Sequence, residues 1–425
     1  MTAQSAIEAA NPTAKGAARN SASVFFAQVL GGLVSFGTML VTLQILKRTD
    51  YGIIAAAVAF VEPIRTLATL GVDAVGVRRA AIDRTQIGRI TGSLLLLRLT
   101  LACIALAVAA VFAFTWRASA TGGGWPTMAA ALVILPAALT GPFQVPFQAT
   151  QQMRRLVVLP LIAAVVQLAA TLTAGWLHAP IALFACIPAM GEVANAIVTR
   201  TLARRILAEP LVGDWKLARE LFRQGLSFAY VTLVVVIYTR GGYYILESQQ
   251  GTGAVADLAA ASGLVSPILV LGSALFVSFT TYCSYLVSAG KFAEFSAYFA
   301  SFVRRVLLIL IPVAFVAMLV VPLVIDAWKP QYHGAARAFR YLAFGAVWML
   351  LCQVSSACLI ALDRPRVIAI MATVNIAVFF AIAIPLAPSL QAEGIAIATF
   401  AMELVNAIGQ VSIVFALLRR LQKSP

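Results

Sequence analysis

Apolar runs of about 20 residues, long enough to cross a bilayer as helices, recur from residue 20 to residue 418. Charge is too scarce to give such a chain a water-facing coat: 11% of its 425 residues are Asp, Glu, Lys or Arg, against 61% hydrophobic. A soluble chain of this length divides into domains, and each domain needs more polar surface than that. The expected fold class is therefore an all-α polytopic membrane protein. The net charge of +15 would suggest nucleic acid in a soluble protein. Here it follows from the Lys/Arg excess of cytoplasmic loops, and no nucleic-acid partner is expected.

The runs predict about twelve helices, at roughly 20–46, 50–73, 88–116, 125–150, 155–177, 180–206, 220–247, 254–283, 302–326, 337–361, 366–387 and 392–418. Their connections alternate in charge. One set runs through Arg78, Arg79, Arg84, Arg89, the cluster from Arg200 to Arg223, Arg304 and Arg305 to Arg419 and Arg420, and holds 22 of the 31 basic residues. The other holds six: Lys47, Arg48, Arg117, Lys329, Arg337 and Arg340. By the positive-inside rule both termini are expected in the cytoplasm. Trp116, Trp125, Trp176 and Trp328 then fall at outer helix ends, where an aromatic belt belongs.

The first 19 residues are Ala-rich and polar, so the first span is expected to insert as its own signal. The expected organisation is a cytoplasmic tail (1–19), a six-helix lobe (20–206), a cytoplasmic linker (207–219), a second six-helix lobe (220–418) and a tail (419–425). Faint internal similarity supports two lobes. Ile45-Leu46 answers Ile245-Leu246, Tyr51-Gly52 answers Thr252-Gly253, and Leu70-Gly71 answers Leu271-Gly272. An even number of crossings precedes the second copy, so the lobes are expected to be parallel repeats with a substrate path between them. Prolines crowd the spans, three of them in LPAALTGPFQVPFQATQQ, and read either as packing kinks or as bending points for alternating access.

Three arginines, Arg65, Arg98 and Arg240, lie inside predicted helices, as do Glu62, Glu192, Glu247 and Glu403. A charged group at a helix centre costs about 2.5–3.5 kcal/mol on insertion scales and survives beside a partner or a wet cavity. Glu62 and Arg65, three residues apart, can pair on one helix face. Arg98 and Arg240 have no acid within a helical turn, which makes them candidate cavity cations. Glu192, Glu403 and Glu247 stand either as their partners or as acids that carry a coupling proton. The five cysteines lie in apolar runs and His178 and His333 in short loops, without metal-ligand spacing. No P-loop or G-x-S-x-G element occurs, so neither a cofactor nor a catalytic group is expected. Two lobes with central cations point to a secondary transporter for an anionic substrate.

The segment NSASVFFAQVLGGLVSFGTMLVTLQILKRTDYGIIAAAVAFVEPIRTLATLGVDAVGVRRAA, Asn20 to Ala81, resembles the polysaccharide flippases of the multidrug/oligosaccharidyl-lipid/polysaccharide (MOP) exporter superfamily. RTDYG stands where that family has a short turn ending in Tyr-Gly, and TLGVDAVGVRR where its second helix closes on Leu-Gly before a basic loop. The resemblance implies a polyprenyl-diphosphate-linked oligosaccharide moved from the inner to the outer leaflet of the bacterial inner membrane. It further implies membrane lipids and polysaccharide polymerase or export machinery as partners. Arg98, Arg240 and the weaker candidate Arg65 would then face the diphosphate or acidic sugars. One departure stands out: the family's seventh helix often carries an acid near its outer end, where this chain has Arg240. The rival reading is an ion-coupled multidrug or organic-cation antiporter of the same superfamily, with Glu62 as its N-terminal-lobe acid. A membrane ligase or polymerase would want a large outer loop, which the short connections do not supply.

Overall fold

With no water in lipid to satisfy backbone N–H and C=O groups, an apolar chain of this kind can only cross as helices or as a closed barrel. The computed structural model describes residues 14–69, 71–117, 123–150, 152–207 and 210–423, and it is built of helices. They are α1 (Ala14–Ile45), α2 (Arg48–Thr69), α3 (Val72–Ile82), α4 (Ile87–Phe112), α5 (Gly124–Ala131), α6 (Ile134–Ala149), α7 (Leu159–Trp176) and α8 (Ile181–Ala203), then α9 (Trp215–Gln250), α10 (Thr252–Ser288), α11 (Phe292–Trp328), α12 (His333–Ala361), α13 (Pro365–Leu390) and α14 (Ala392–Lys423). Parts of the expected tails and linker, residues 1–13, 208–209 and 424–425, lie outside the described residues.

Eleven helices among the described residues are long and apolar enough to span a membrane. By length α9 can make a twelfth crossing, since its 36 residues reach roughly 54 Å at 1.5 Å per residue. Twelve crossings come from fourteen helices because two spans are broken. The second span, expected at 50–73, runs on to Ile82 as α2 and α3, with Gly71 at φ 65° between them. That left-handed backbone favours glycine, which has no Cβ to clash there. Arg78 and Arg79, read as an inner loop, therefore lie on a helix. The fourth span breaks between α5 and α6 at Leu132 and Val133, whose N–H groups bond three residues back instead of four. Pro136 explains it: its ring has no N–H to give the Leu132 carbonyl and clashes with it.

The ninth span also departs from expectation. It was read as starting at 302, but α11 begins at Phe292. Phe295 and Phe299 are fully buried beside Phe279, Cys358 and Leu418, so these first turns form a small core of their own. A wider π-type turn over Ala113–Arg117 follows α4 and carries Arg117.

Packing repeats with a shift of six crossings. As α1 packs on α7, so α9 packs on α13; as α7 packs on α8, so α13 packs on α14. The pairs α4–α6 and α11–α12 correspond likewise, as do α6–α8 and α12–α14. The two lobes meet through α1 to α4 on one side and α9 and α10 on the other. Residues that answer each other in sequence touch across this joint. Gly52 lies against the Thr252 backbone, and a Cβ on Gly253 would come 3.5 Å from the Arg48 guanidinium carbon. In the N-terminal lobe the core is rich in alanine (Ala57, Ala102, Ala105, Ala109, Ala130, Ala185), which lets helices approach closely where lipid removes the hydrophobic drive to associate. Trp125, Trp176 and Trp328 are exposed at one end of the bundle, opposite the basic end.

Candidate functional site

The interior charges fall into a cluster in each lobe and a row along the joint. In the N-terminal lobe, Arg98 on α4 is 3% exposed and its Nη1 donates to Asp73 Oδ2 at 2.6 Å. Asp73 is half-buried on α3, just beyond the Gly71 break. Gly141 on α6 makes room for the pair: a Cβ there would run into Arg98 Nη1 and lie 2.7 Å from Asp73 Oδ2. Its neighbour Thr140 donates weakly to Glu192 Oε2 of α8 at 3.4 Å. One point on α6 thus touches both interior charge groups of this lobe. Sequence reasoning did not single out Asp73, because it stood as the last residue of an expected span. Its distance from Arg98, 25 positions and one loop away, left no periodic trace.

Along the joint, Arg65 Nη2 donates to Glu62 Oε1 at 2.5 Å, and both side chains are half-buried. Arg240 on α9 is half-buried and lies with its Cζ 5.8 Å from the centre of the Tyr243 ring, a cation–π contact. Among the described residues it has no carboxylate in an ion pair. Tyr244, one turn further along α9, donates its hydroxyl to the Ala59 carbonyl at 3.0 Å. The helices α2 and α9 run in opposite directions, so one turn deeper from that bond brings Arg240 level with Pro63. Arg240, Glu62 and Arg65 therefore share a depth where the lobes meet.

At the end opposite the basic loops the joint is closed by two ion pairs between lobes, the first of them bidentate. Arg48 Nε and Nη2 donate to Asp257 Oδ1 and Oδ2 at 3.0 and 2.7 Å. Arg117 reaches Glu247 at 3.0 Å from Nη1 and 2.7 Å from Nη2. Glu247, expected as a partner or a coupling acid, has a partner here from the other lobe. At the basic end the lobes separate around a cavity of about 1100 Å³ lined by Arg78, Arg79, Lys216, Arg219, Glu220 and Arg223.

The C-terminal lobe holds a second cavity of about 670 Å³ between α9, α12, α13 and α14, largely apolar in its wall but crossed by a strip of polar side chains. Glu403 lines it and is 5% exposed. Beside it Ser356 donates to Gln410 Oε1 at 2.8 Å, and Gln410 donates to Asn406 Oδ1 at 2.9 Å. Glu403, Asn406 and Gln410 recur at positions i, i+3 and i+7 of α14. That polar stripe on an apolar helix was visible in the sequence, where only its acid was picked out. Glu403 has no ion pair among the described residues. His333 bonds Asp326 at 2.9 Å, and among the described residues no three His, Cys, Asp or Glu side chains gather as metal ligands would.

Comparison with known proteins places this architecture. The lipid II flippase MurJ in an inward closed conformation superposes with a TM-score of 0.73 at 13% identity, over 93% of this chain and 87% of that one. An outward-facing multidrug resistance MATE family transporter of the MOP superfamily gives 0.63 at 14% identity, over 95% and 96%. A MOP superfamily transporter from Pyrococcus furiosus, described as having a binding pocket of reversed polarity, gives 0.60 at 12% identity, over 95% and 96%. No curated protein matches the chain by sequence. At such identities the superpositions speak for the fold, that of MOP-superfamily membrane transporters. Sequence speaks for the family: residues 17–282, more than half of the chain, match the profile described as "Polysaccharide biosynthesis protein", and the chain belongs to that family.

Proposed function

We propose that this protein is a flippase that carries a polyprenyl-diphosphate-linked oligosaccharide from the cytoplasmic to the outer leaflet of a bacterial inner membrane, for surface polysaccharide synthesis. Both termini and the basic end then lie in the cytoplasm, and alternating access exposes the joint between lobes to each side in turn. The observation that carries this reading is Arg240: a half-buried guanidinium level with Arg65, at the lobe joint, held by an aromatic ring instead of a carboxylate. A guanidinium kept there without an anion is suited to an anionic cargo, and its planar fork matches phosphate oxygens. The sugars travel in the wet joint while the polyprenyl chain stays in lipid.

Arg240 and Arg65 are the proposed diphosphate contacts. Arg98 closed against Asp73 acts by holding the α3–α4–α6 corner of the joint, and meets cargo only when that pair opens. Glu62 keeps Arg65 in place, Glu192 steadies α6, and Glu247 with Arg117 closes the outer side. Polymerase and export machinery are the expected receivers of the product. Reconstitution in liposomes tests the reading, by whether label-accessible sugar changes leaflet. Arg240→Ala is expected to slow transfer at least tenfold, with Arg240→Lys a partial substitute. Wild-type transfer by Arg240→Ala would overturn the assignment of the cargo site.

One observation favours a second reading. Glu403, buried in its cavity beside Asn406 and Gln410, is suited to a proton or a monovalent cation, as an ion-coupled antiporter of the same fold would require. In that case an organic cation would move against an imposed ion gradient and the lipid-linked sugar would not.

A further inference from the structure

The positive-inside rule accounts for basic residues at the cytoplasmic end of a span, but not for their convergence on one cavity. Helices α3 and α9 bring them together from different lobes. On α9, Lys216, Arg219, Glu220 and Arg223 follow at i, i+3, i+4 and i+7, a single face. On α3, Arg78 and Arg79 stand one turn from Ala74 and Val75, and both turns line the same cavity of about 1100 Å³. Five cations surround one carboxylate there. Arg78, Lys216, Arg219 and Arg223 have no ion pair among the described residues, while Arg79 Nη1 donates to Glu220 Oε2 at 3.0 Å between the lobes. Ile82, which also lines the cavity, is exposed, and so is Trp215, the residue before Lys216 at the start of α9. A cavity with cations inside and apolar side chains at its edge fits a phosphate group borne on a hydrocarbon chain.

Resting on the flippase reading, we propose that this vestibule is the cytoplasmic docking site for the isoprenyl diphosphate headgroup. Arg79, Arg219 and Arg223 take the phosphate oxygens, and Glu220 is the anion they displace. The Glu220 carboxylate holds Arg79 where a phosphate oxygen would, so docking exchanges a bond between lobes for bonds to cargo. Loading thereby loosens an ion pair between lobes that borders this cavity, which couples headgroup binding to closure of the basic end. No covalent step is involved.

The test measures binding of a short-chain isoprenyl diphosphate to the purified full-length protein in neutral-lipid nanodiscs. The Arg219→Gln/Arg223→Gln double variant is expected to weaken binding at least tenfold, since each removed guanidinium takes a charge-assisted contact with it. Glu220→Gln is expected to tighten binding severalfold, because it removes the competing anion. A merely topogenic set of arginines gives neither change. Thermal unfolding of each variant, matched to wild type, secures the comparison, and Arg219→Lys/Arg223→Lys, which keeps the charge, is expected to retain part of the affinity. Affinity unchanged by both substitutions would overturn the proposal. So would equal competition by phosphatidylglycerol or inorganic pyrophosphate, which would mark a general anion surface. Binding as expected without transfer in liposomes would instead refute the flippase reading, and transfer with unaltered binding would refute this site alone.

Discussion

Breaking the Arg48–Asp257 pair should open the end of the molecule opposite the basic loops. The pair is bidentate, at 3.0 and 2.7 Å, and it joins α2 of one lobe to α10 of the other. The Asp257 side chain is 2% exposed and that of Arg48 36%. A fully buried pair costs about 3–5 kcal/mol to break from one side, and an exposed one is worth about 0.2–1 kcal/mol. With only one partner reached by water, a contribution of about 1–3 kcal/mol to closure follows, which is roughly 5- to 150-fold in the open-to-closed ratio. The direction of the cut matters. Asp257→Asn leaves a guanidinium that water already reaches, whereas Arg48→Met strands a buried carboxylate, so Arg48→Met should open this end more. The double variant Arg48→Met/Asp257→Leu should fall below the sum of the single effects. Spin labels at the exposed positions Thr49 and Gln331, after replacement of the accessible Cys103 and Cys186, report the opening as a distance distribution. Identical distributions for wild type and both single variants would refute the assignment of the pair as a closing contact.

Gly141→Ala should displace Arg98 from Asp73, since its Cβ would occupy the place of the guanidinium. The expected cost is about 1–3 kcal/mol, read as a lowered unfolding temperature and lost transfer in liposomes. Arg98→Ala should destabilise more than Arg98→Met/Asp73→Leu, which removes both charges, and chemical unfolding ranks the two. Asp214 caps α9 by accepting from the Lys216 and Leu217 N–H groups, and Arg89 bonds its carboxylate. Arg89 first, then those backbone bonds, hold the Asp214 carboxyl below the usual carboxylate range. A lowered folded value means stability that is fully present above the unfolded pKa, near 3.9, and lost as pH falls through the folded one. Asp214→Ala should therefore be less stable than wild type at neutral pH and converge with it in acid, as thermal unfolding across that range would show.

The fold was legible in this sequence because lipid leaves few alternatives. Each crossing announced itself as an apolar run, and the alternation of Lys and Arg ordered the runs without any knowledge of packing. Boundaries were harder where a helix leaves the apolar layer. Ser and Ala dilute the first turns of α11 so that they read as a loop, although Phe292, Phe295 and Phe299 keep a helical period. The partners of the buried charges were not legible. Glu62 and Arg65 pair within one helix, and spacing alone suggested it. Asp73 with Arg98, Glu247 with Arg117 and Asp257 with Arg48 join different helices, up to 209 positions apart, and no local period records such a contact.

The pairs also divide by where they stand, and that division bears on mechanism. A secondary transporter must hold one end shut while the other admits cargo, and must be able to reverse that with small energies. The bidentate Arg48–Asp257 pair and the well-buried Arg117–Glu247 pair lie at the end opposite the basic loops, each joining one cation to one carboxylate. At the basic end Arg79–Glu220 joins the lobes by one hydrogen bond and Arg89 ties α4 to Asp214 at the start of α9, both amid surplus cations. Such an arrangement is self-sufficient at one end and short of anions at the other. In the proposed function, an anionic cargo arriving at the short end supplies what Glu220 alone cannot, and draws α3 and α9 together as it does so. Closing there strains the opposite end, where charges can separate only if water enters to solvate them. On this view the asymmetry of pairing, more than any single arginine, sets the direction from which the cargo is taken up.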